Sequence, residues 1–443
     1  MKVAATYKDI FKLSAPLIVA NFMQTVIGFT DALFLGRVGE VELGAVGIAA
    51  IYYLVLVMIG IGLSRGGQIL ISRRAGEGKV KRIGIIMDNF LLLQMFFALL
   101  MFLLLRFGSE TILGFVIEDV EIKNAALQYI KYRSAGLFFS YLAFTFLAFY
   151  AGIVKTTVIT YLMLLLAVAN VLLNYSLIFG NFGFPQMSIG GAGLASTLAE
   201  ILVIIALFIH VFVNKQHKTY QLFTFKKIDF SIIKDIFNLS APVMLQYILG
   251  LGGWFVFFAM VENMGKRALS VSTIVRWVYA FGAAPAFGFA QGANSIVSNI
   301  LGQGKPRHML MALRKTVLFS LYCGLGFAIL IVIFPTATIN IFTSDPAIVS
   351  DAIPSLYVTA ILIIGASIAT VIFNGYIGTG DTKLSLLITA IAMAGYLVYA
   401  TYVIKVMQVE LHWAWLSDLV YWGIIAIISL ILFRSNRWRK IKV

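Results

Sequence analysis

The chain has 443 residues, of which 61% are apolar and 12% charged, against the about 25% charged usual in soluble domains. A mean hydropathy of +0.96 sustained over that length excludes a water-soluble globular enzyme. The formal charge of +15 would raise the question of nucleic acid in a soluble domain, but here it follows the loops.

Twelve apolar stretches begin near residues 13, 44, 84, 129, 157, 190, 239, 268, 310, 352, 382 and 411. Each is roughly 20 to 25 residues long, and about 20 such residues cross a bilayer's hydrocarbon. The expected fold is an all-α membrane protein of twelve transmembrane helices. The first stretch follows Lys2, Lys8 and Lys12, has no small-x-small cleavage site, and reads as a span rather than a removed leader. The even-numbered connections carry Arg73, Arg74, Lys79, Lys81 and Arg82, then Lys155, then Lys215, Lys218, Lys226 and Lys227, then Lys305, Arg307, Arg314 and Lys315, then Lys383. Arg434, Arg437, Arg439, Lys440 and Lys442 follow the last span. The other connections carry Glu40, Glu42, Glu110, Glu118, Asp119, Glu121, Asp345 and Asp351. The positive-inside rule then puts both termini in the cytoplasm, as an even span number requires. The base is explained by topology and by anionic inner-leaflet lipid, so no nucleic-acid partner is expected. Cys323, the single cysteine, allows no disulfide framework.

Self-comparison finds a repeat. KDIFKLSAP at Lys8 to Pro16 returns as KDIFNLSAP at Lys234 to Pro242, an offset of 226. Gly39 and Leu43 meet Gly265 and Leu269 at the same offset, GEGK at Gly76 meets GQGK at Gly302, and Tyr150, Gly152 and Thr156 meet Tyr376, Gly378 and Thr382. The chain therefore reads as a duplicated six-span unit: an N-terminal lobe 1–213, a basic cytoplasmic linker 214–234, and a C-terminal lobe 235–443. Six spans return the chain to its starting side, so the lobes share orientation and a pseudo-two-fold along the membrane normal is expected, with alternating access as the natural mechanism. Pro16 and Pro242 either bend their spans or are tolerated in the first turns.

Polar groups at bilayer depth are functional candidates by default. In span one Asn21, Gln24, Gly28 and Asp31 share a helix face, and Asp31 lies ~27 Å from that span's cytoplasmic start. Asn170 and Asn174 of span five and Ser196, Thr197 and Glu200 of span six fall at similar depth. A carboxylate among amide and hydroxyl oxygens suits Na+, and a desolvated carboxylate suits a proton; helix-to-helix hydrogen bonding is the plain alternative. Asn21 and Gln24 are candidate substrate contacts. The second-lobe counterparts of the span-one stripe are Tyr247, Gly250, Trp254 and Phe257, so its aromatic rings form either a substrate wall or ordinary packing. Arg276 and Asp418 fall at matching depth and are expected to pair, as a structural lock, a substrate contact or a proton relay. Arg65 either serves Glu200 as counter-ion or reaches toward the inner interface.

No GxxxxGK[ST] loop or HExxH pair occurs, and His210, His217, His308 and His412 form no cluster within a span. Neither an enzyme nor a bound cofactor is expected. An intramembrane enzyme would want clustered acid-base or metal-ligating residues, and a lipid-linked saccharide flippase would want more spans and a strongly basic cavity.

The two tandem lobes, the SAP proline in each, GFTDALFLGRVG around Asp31, RRAGEGK, LNYSLIFG and GTGDTK resemble the multidrug and toxic compound extrusion (MATE) transporters over essentially the whole chain. The resemblance implies a V-shaped antiporter in the cytoplasmic (inner) membrane, acting as a monomer, that exports cationic or amphipathic molecules against inward Na+ or H+. It also implies that Asp31 matches the family's first-span acid, Asn170 and Asn174 its fifth-span cation ligands, and Thr197 or neighbouring Ser196 its sixth-span hydroxyl. Na+ would then sit at Asp31, Asn170, Asn174 and Thr197. Acids that some members carry in spans seven and ten fall near Gly250 and Ala366 here, so a second-lobe site of that kind is absent or rebuilt around Asp418.

Overall fold

The computed structural model describes residues 2–225 and 228–441; Lys226, Lys227 and Lys442 of the charge pattern lie outside the described residues. Every regular element among the described residues is helical. The first six-span repeat gives α1 Tyr7–Gly36, α2 Glu40–Glu77, α3 Val80–Leu103, α4 Ser109–Val116, α5 Val120–Arg133, α6 Gly136–Gly152, α7 Thr157–Phe179 and α8 Ser188–Val213, followed by the short α9 Gln216–Tyr220. The second gives α10 Phe230–Glu262, α11 Lys266–Gly302, α12 Pro306–Ile333, α13 Pro335–Asn340, α14 Pro346–Ile377, α15 Thr382–Thr401, α16 Leu411–Trp415 and α17 Ser417–Arg434. Among the described residues, ten helical segments are long and apolar enough to cross a membrane, and eleven if α5 and α6, bent by 52°, count as one.

The sequence dictates where helices begin and stop. Asp119 caps α5, its carboxylate accepting from Glu121 N at 2.8 Å and Ile122 N at 3.1 Å; its repeat mate Asp345 caps α14 by accepting from Ala347 N at 2.9 Å, with Pro346 in the first turn. After α2 and α11 the second glycines of GEGK and GQGK, Gly78 and Gly304, adopt φ of 78° and 71°, a left-handed conformation that costs a residue with a Cβ.

Two compact units emerge, one of residues 1–22 with 245–443 and one of residues 23–244. Their limits fall inside α1 and α10, so the first half of each of these helices packs in the unit built mainly from the other repeat. Glycines admit them. A Cβ at Gly62 of α2 would stand 2.6 Å from Met244 Cα, and one at Gly288 of α11 would stand 2.6 Å from Ile18 Cα. One turn on, Gly66 faces Ser240 and Gly292 faces Ser14. All four contacts repeat at the 226-residue offset, and they are of the small-residue kind by which membrane helices approach closely without a hydrophobic driving force.

Within the 23–244 unit the linker is tied down. Buried Asp88 of α3 accepts from the backbone of Phe223 at 2.7 Å and of Thr224 and Phe225 at 2.9 Å, and from Thr224 Oγ1 at 3.1 Å. Phe223 and Phe225 both have positive φ, which aims successive N–H groups at one carboxylate as in an anion-binding nest.

The glycine contacts yield a test. Gly62→Ala lowers the melting temperature of the detergent-solubilised protein by several degrees, because the obstructing atoms are backbone. Gly47→Ala, where a Cβ meets open space, leaves it unchanged or raises it; equal melting temperatures for the two variants would refute close helix approach at Gly62.

Candidate functional site

Asp31 lies near the end of α1, Asn170 and Asn174 stand one turn apart on α7, and Ser196 projects from α8, which packs along α7. Asn174 Nδ2 donates to Asp31 Oδ1 at 2.5 Å and to Asn170 Oδ1 at 3.0 Å. Asn170 Nδ2 donates in turn to Ser196 Oγ at 3.1 Å. Three helices are thus joined by one polar chain ending on a carboxylate. Both asparagines and Ser196 are buried, so these bonds form in a low-dielectric setting where an ionised acceptor strengthens them. Asn174 Oδ1 is also buried, yet no hydrogen-bond partner for it occurs among the described residues, although such atoms are rarely left unsatisfied.

Beside this chain lies a second polar group that sequence reading missed. Arg133, the last residue of α5, donates from Nη1 to Glu200 Oε2 at 2.9 Å and from Nη2 to Glu200 Oε1 at 2.6 Å, a two-pronged pair of the kind guanidinium geometry favours. Ser140 Oγ donates to the same Oε1 at 2.8 Å, and the guanidinium lies 4.2 Å from the Tyr53 ring centroid. Gly136 makes the space, since a Cβ there would collide with Arg133 Nη1 and come within 2.9 Å of Glu200 Oε2. The counter-ion of Glu200 is therefore Arg133 and not Arg65, which donates to Gln68 at 3.0 Å. Arg133 is within electrostatic reach of Asp31. Its signal in the sequence is weak: it sits 67 residues from Glu200, at the SAG break that ends α5.

Other expected members are distributed differently. Thr197 Oγ1 donates to Tyr132 O and Gly193 O, both at 3.1 Å, so the hydroxyl that joins the Asp31 chain is that of Ser196. Asn21 donates to Leu17 O one turn back at 2.8 Å, and Gln24 is exposed. Tyr247 is half-buried. Trp254 packs on Phe258, Tyr279 and Trp415, and Phe257, 1% exposed, is enclosed in the core of its unit and presents no surface.

The expected Arg276–Asp418 pair is not formed. Ser272 and Tyr279 occupy the α11 face toward α16 and α17, where they bond Trp415 Nε1 at 3.3 Å and Trp422 Nε1 at 2.9 Å. Arg276 is turned off that face and lies over the rings of Phe258 and Trp277, 5.5 and 5.6 Å from their centroids.

The chemistry available in the 23–244 unit follows from charge. Arg133 and Glu200 neutralise each other, leaving Asp31 as the uncompensated charge beside amide and hydroxyl oxygens. No group of three or more His, Cys, Asp or Glu side chains that would suit a divalent ion occurs among the described residues. One net negative charge with neutral oxygens fits a monovalent ion.

The MatE family model matches residues 16–176 and 242–403, once in each repeat. The probable multidrug resistance protein NorM of Thermotoga maritima is 26% identical over 435 residues, covering 98% of this chain and 93% of the relative. Among solved structures, a MOP superfamily transporter from Pyrococcus furiosus superposes with a TM-score of 0.91 at 18% identity, over 99% of this chain and 98% of that one. A MATE transporter from Vibrio cholerae does so with a TM-score of 0.89 at 17% identity, over 97% and 96%. With the repeated fold and a family match spanning both repeats, the chain belongs to the MatE family of multidrug and toxic compound extrusion transporters, multi-pass membrane proteins.

Proposed function

We propose that the protein is a secondary antiporter that exports cationic or amphipathic small molecules in exchange for inward H+ or Na+, by alternating access of its two lobes. The substrate class is supported by the Thermotoga maritima relative, described as a probable multidrug resistance protein. The finer topology is part of the same reading: both termini face the cytoplasm, the membrane is the cytoplasmic one, and α11, the eighth span in chain order, completes the count of twelve. At 37 residues α11 is long enough to cross, and the Asn, Ser and Gln side chains of its second half make it less apolar than the other spans. A lipid-linked saccharide flippase is not favoured, since the family match covers both repeats.

The observation that carries the mechanism is the hydrogen bond from Asn174 to Asp31. In the arrangement described, the amide presents its N–H to the carboxylate, which is what a charged, ion-free Asp31 needs. A proton or Na+ on Asp31 needs an acceptor oxygen instead. The partnerless Asn174 Oδ1 is that oxygen, brought to Asp31 by turning the amide over. Loading the ion therefore rewires the bond linking α1 to α7, and with it the Asn170–Ser196 link to α8. Substrate release and ion binding are coupled because the polar chain has two arrangements and the ion selects one. The Arg133–Glu200 pair keeps the arginine charge occupied, so that Asp31 answers to the ion rather than to an internal counter-ion.

Asp31→Asn abolishes ion-driven efflux while the protein still inserts. Everted vesicles loaded with a fluorescent cation, with Na+ and proton gradients imposed independently, measure this; undiminished transport would remove Asp31 from the mechanism. Asn174→Leu keeps the shape and deletes both polar atoms. It raises the ion concentration for half-maximal transport by about tenfold or more, the magnitude of a hydrogen bond to a charged group, and an unchanged ion dependence would contradict the amide's role. Glu200→Gln frees Arg133 to face Asp31 and stops transport, whereas the Arg133→Gln/Glu200→Gln double variant recovers a substantial part of it, because removing one member of a buried pair is worse than removing both. Equal loss in single and double variants would assign the pair to folding alone.

A further inference from the structure

We propose that the 23–244 unit carries, at the outer end of its third span, a site for the headgroup of an anionic phospholipid whose phosphate is esterified to a polyhydroxyl group, as in phosphatidylglycerol. Its placement in the outer leaflet rests on the topology proposed above; the binding itself does not. A pocket of about 480 Å3 opens between the end of α3, α4 and α5, a size ordinary for small-molecule sites. It forms at a break: α3 passes through a π-helical turn, Leu104–Gly108, before α4 begins, and such turns are frequent at functional sites. At 1.5 Å per residue Leu104 lies ~36 Å from Val80, past a hydrocarbon layer of about 30 Å and so at headgroup depth.

Arg106 of the π-helical turn and Lys131 of α5 line the pocket from two walls. Lys131 lies 5.8 Å from the Tyr132 ring centroid, and neither base is ion-paired among the described residues. Two unpaired cations on separate walls suit an anion between them, and the two free oxygens of a phosphodiester accept from both. Glu110 lines the same pocket, so two positive charges and one negative leave it at +1. A lipid carrying one negative charge neutralises that excess, and a zwitterionic one does not. Glu110, Gln128 and Ser134 supply acceptor oxygens for headgroup hydroxyls; Ser134 directs its own proton to Lys131 O at 3.2 Å. A lipid is favoured over free phosphate by what adjoins the pocket. Leu100, Leu103, Leu104 and Phe107 are exposed, Phe107 at 73%, and their spacing puts them on one face that ends beside Arg106. An acyl chain laid along that face delivers its phosphate to the pocket. Tyr132 and Ser134, either side of Arg133, line the pocket too, and Tyr132 O accepts from Thr197 Oγ1 at 3.1 Å. A headgroup held by Arg106 and Lys131 together therefore ties the end of α3 to the 52° bend between α5 and α6, next to the Arg133–Glu200 pair.

Thermal unfolding of the purified, detergent-solubilised protein tests this without transport or a coupling ion, so its failure is distinct from failure of the antiport reading. Titration with short-chain phosphatidylglycerol at constant ionic strength gives a saturable stabilisation, whereas short-chain phosphatidylethanolamine, phosphatidylcholine and inorganic phosphate do not. Arg106→Gln and Lys131→Gln, both at exposed positions and so compatible with folding, together weaken the apparent affinity for phosphatidylglycerol by about tenfold or more, the magnitude of a lost hydrogen bond to a charged group. Lys81→Gln/Arg82→Gln removes the same charge at the other end of α3 and leaves that affinity unchanged. No stabilisation by phosphatidylglycerol overturns the proposal, as does equal stabilisation by the zwitterionic lipids or by phosphate. An affinity that survives Arg106→Gln/Lys131→Gln, or falls equally in both double variants, overturns it as well.

Discussion

A carboxylate placed against apolar helices is stable only with a partner, and Asp31 has one: the Asn174 amide, 2.5 Å away. Everything around that bond is arranged so that its donor is neutral and its far end is anchored. Asn170 and Ser196 hold the amide from behind, and the positive charge of Arg133 is occupied by Glu200. A neutral donor matters because a charged one would hold Asp31 in competition with any arriving cation. In the proposed mechanism the bond orients the acid and is exchanged for the ion.

The same economy governs the scaffold. Small residues at Gly62, Gly66, Gly288 and Gly292 let the first half of α10 lie against α2 and that of α1 against α11 at backbone distance, and the linker is pinned through the one carboxylate of Asp88. Asp31 follows the point at which α1 passes from one compact unit to the other, between Phe22 and Met23. The proposed coupling acid and the exchanged half of its helix thus belong to a single continuous element.

How much of this was legible in the sequence depends on which coordinate a residue pattern encodes. Apolar run length gave the helices, and the 226-residue offset gave the repeat; capping by Asp119 and Asp345 and the glycine contacts obey that offset too, although only the folded chain reveals their function. Rise per residue gives depth, and Asp31, Asn170, Asn174 and Ser196, which share one, are joined by hydrogen bonds. Depth carries no azimuth, however. Ser196 and Thr197 share a depth and point about 100° apart, so Thr197 bonds backbone carbonyls. Arg276 and Asp418 share a depth and face different neighbours. Periodicity likewise put Phe257 on a stripe without telling core from cleft. Arg133 escaped because it ends a helix at a bend, where neither run length nor periodicity marks a functional position.

The most direct measurement is infrared difference spectroscopy of the purified protein on exchange of the coupling ion, taken in wild type and in the Asp31→Asn variant. Reversible ion binding at Asp31 predicts a carboxyl or carboxylate band that appears in the wild-type difference spectrum, is missing from the variant, and is accompanied by a shift in side-chain amide bands that Asn174→Leu removes. Identical difference spectra for wild type and Asp31→Asn would contradict it, for the ion would then be binding elsewhere.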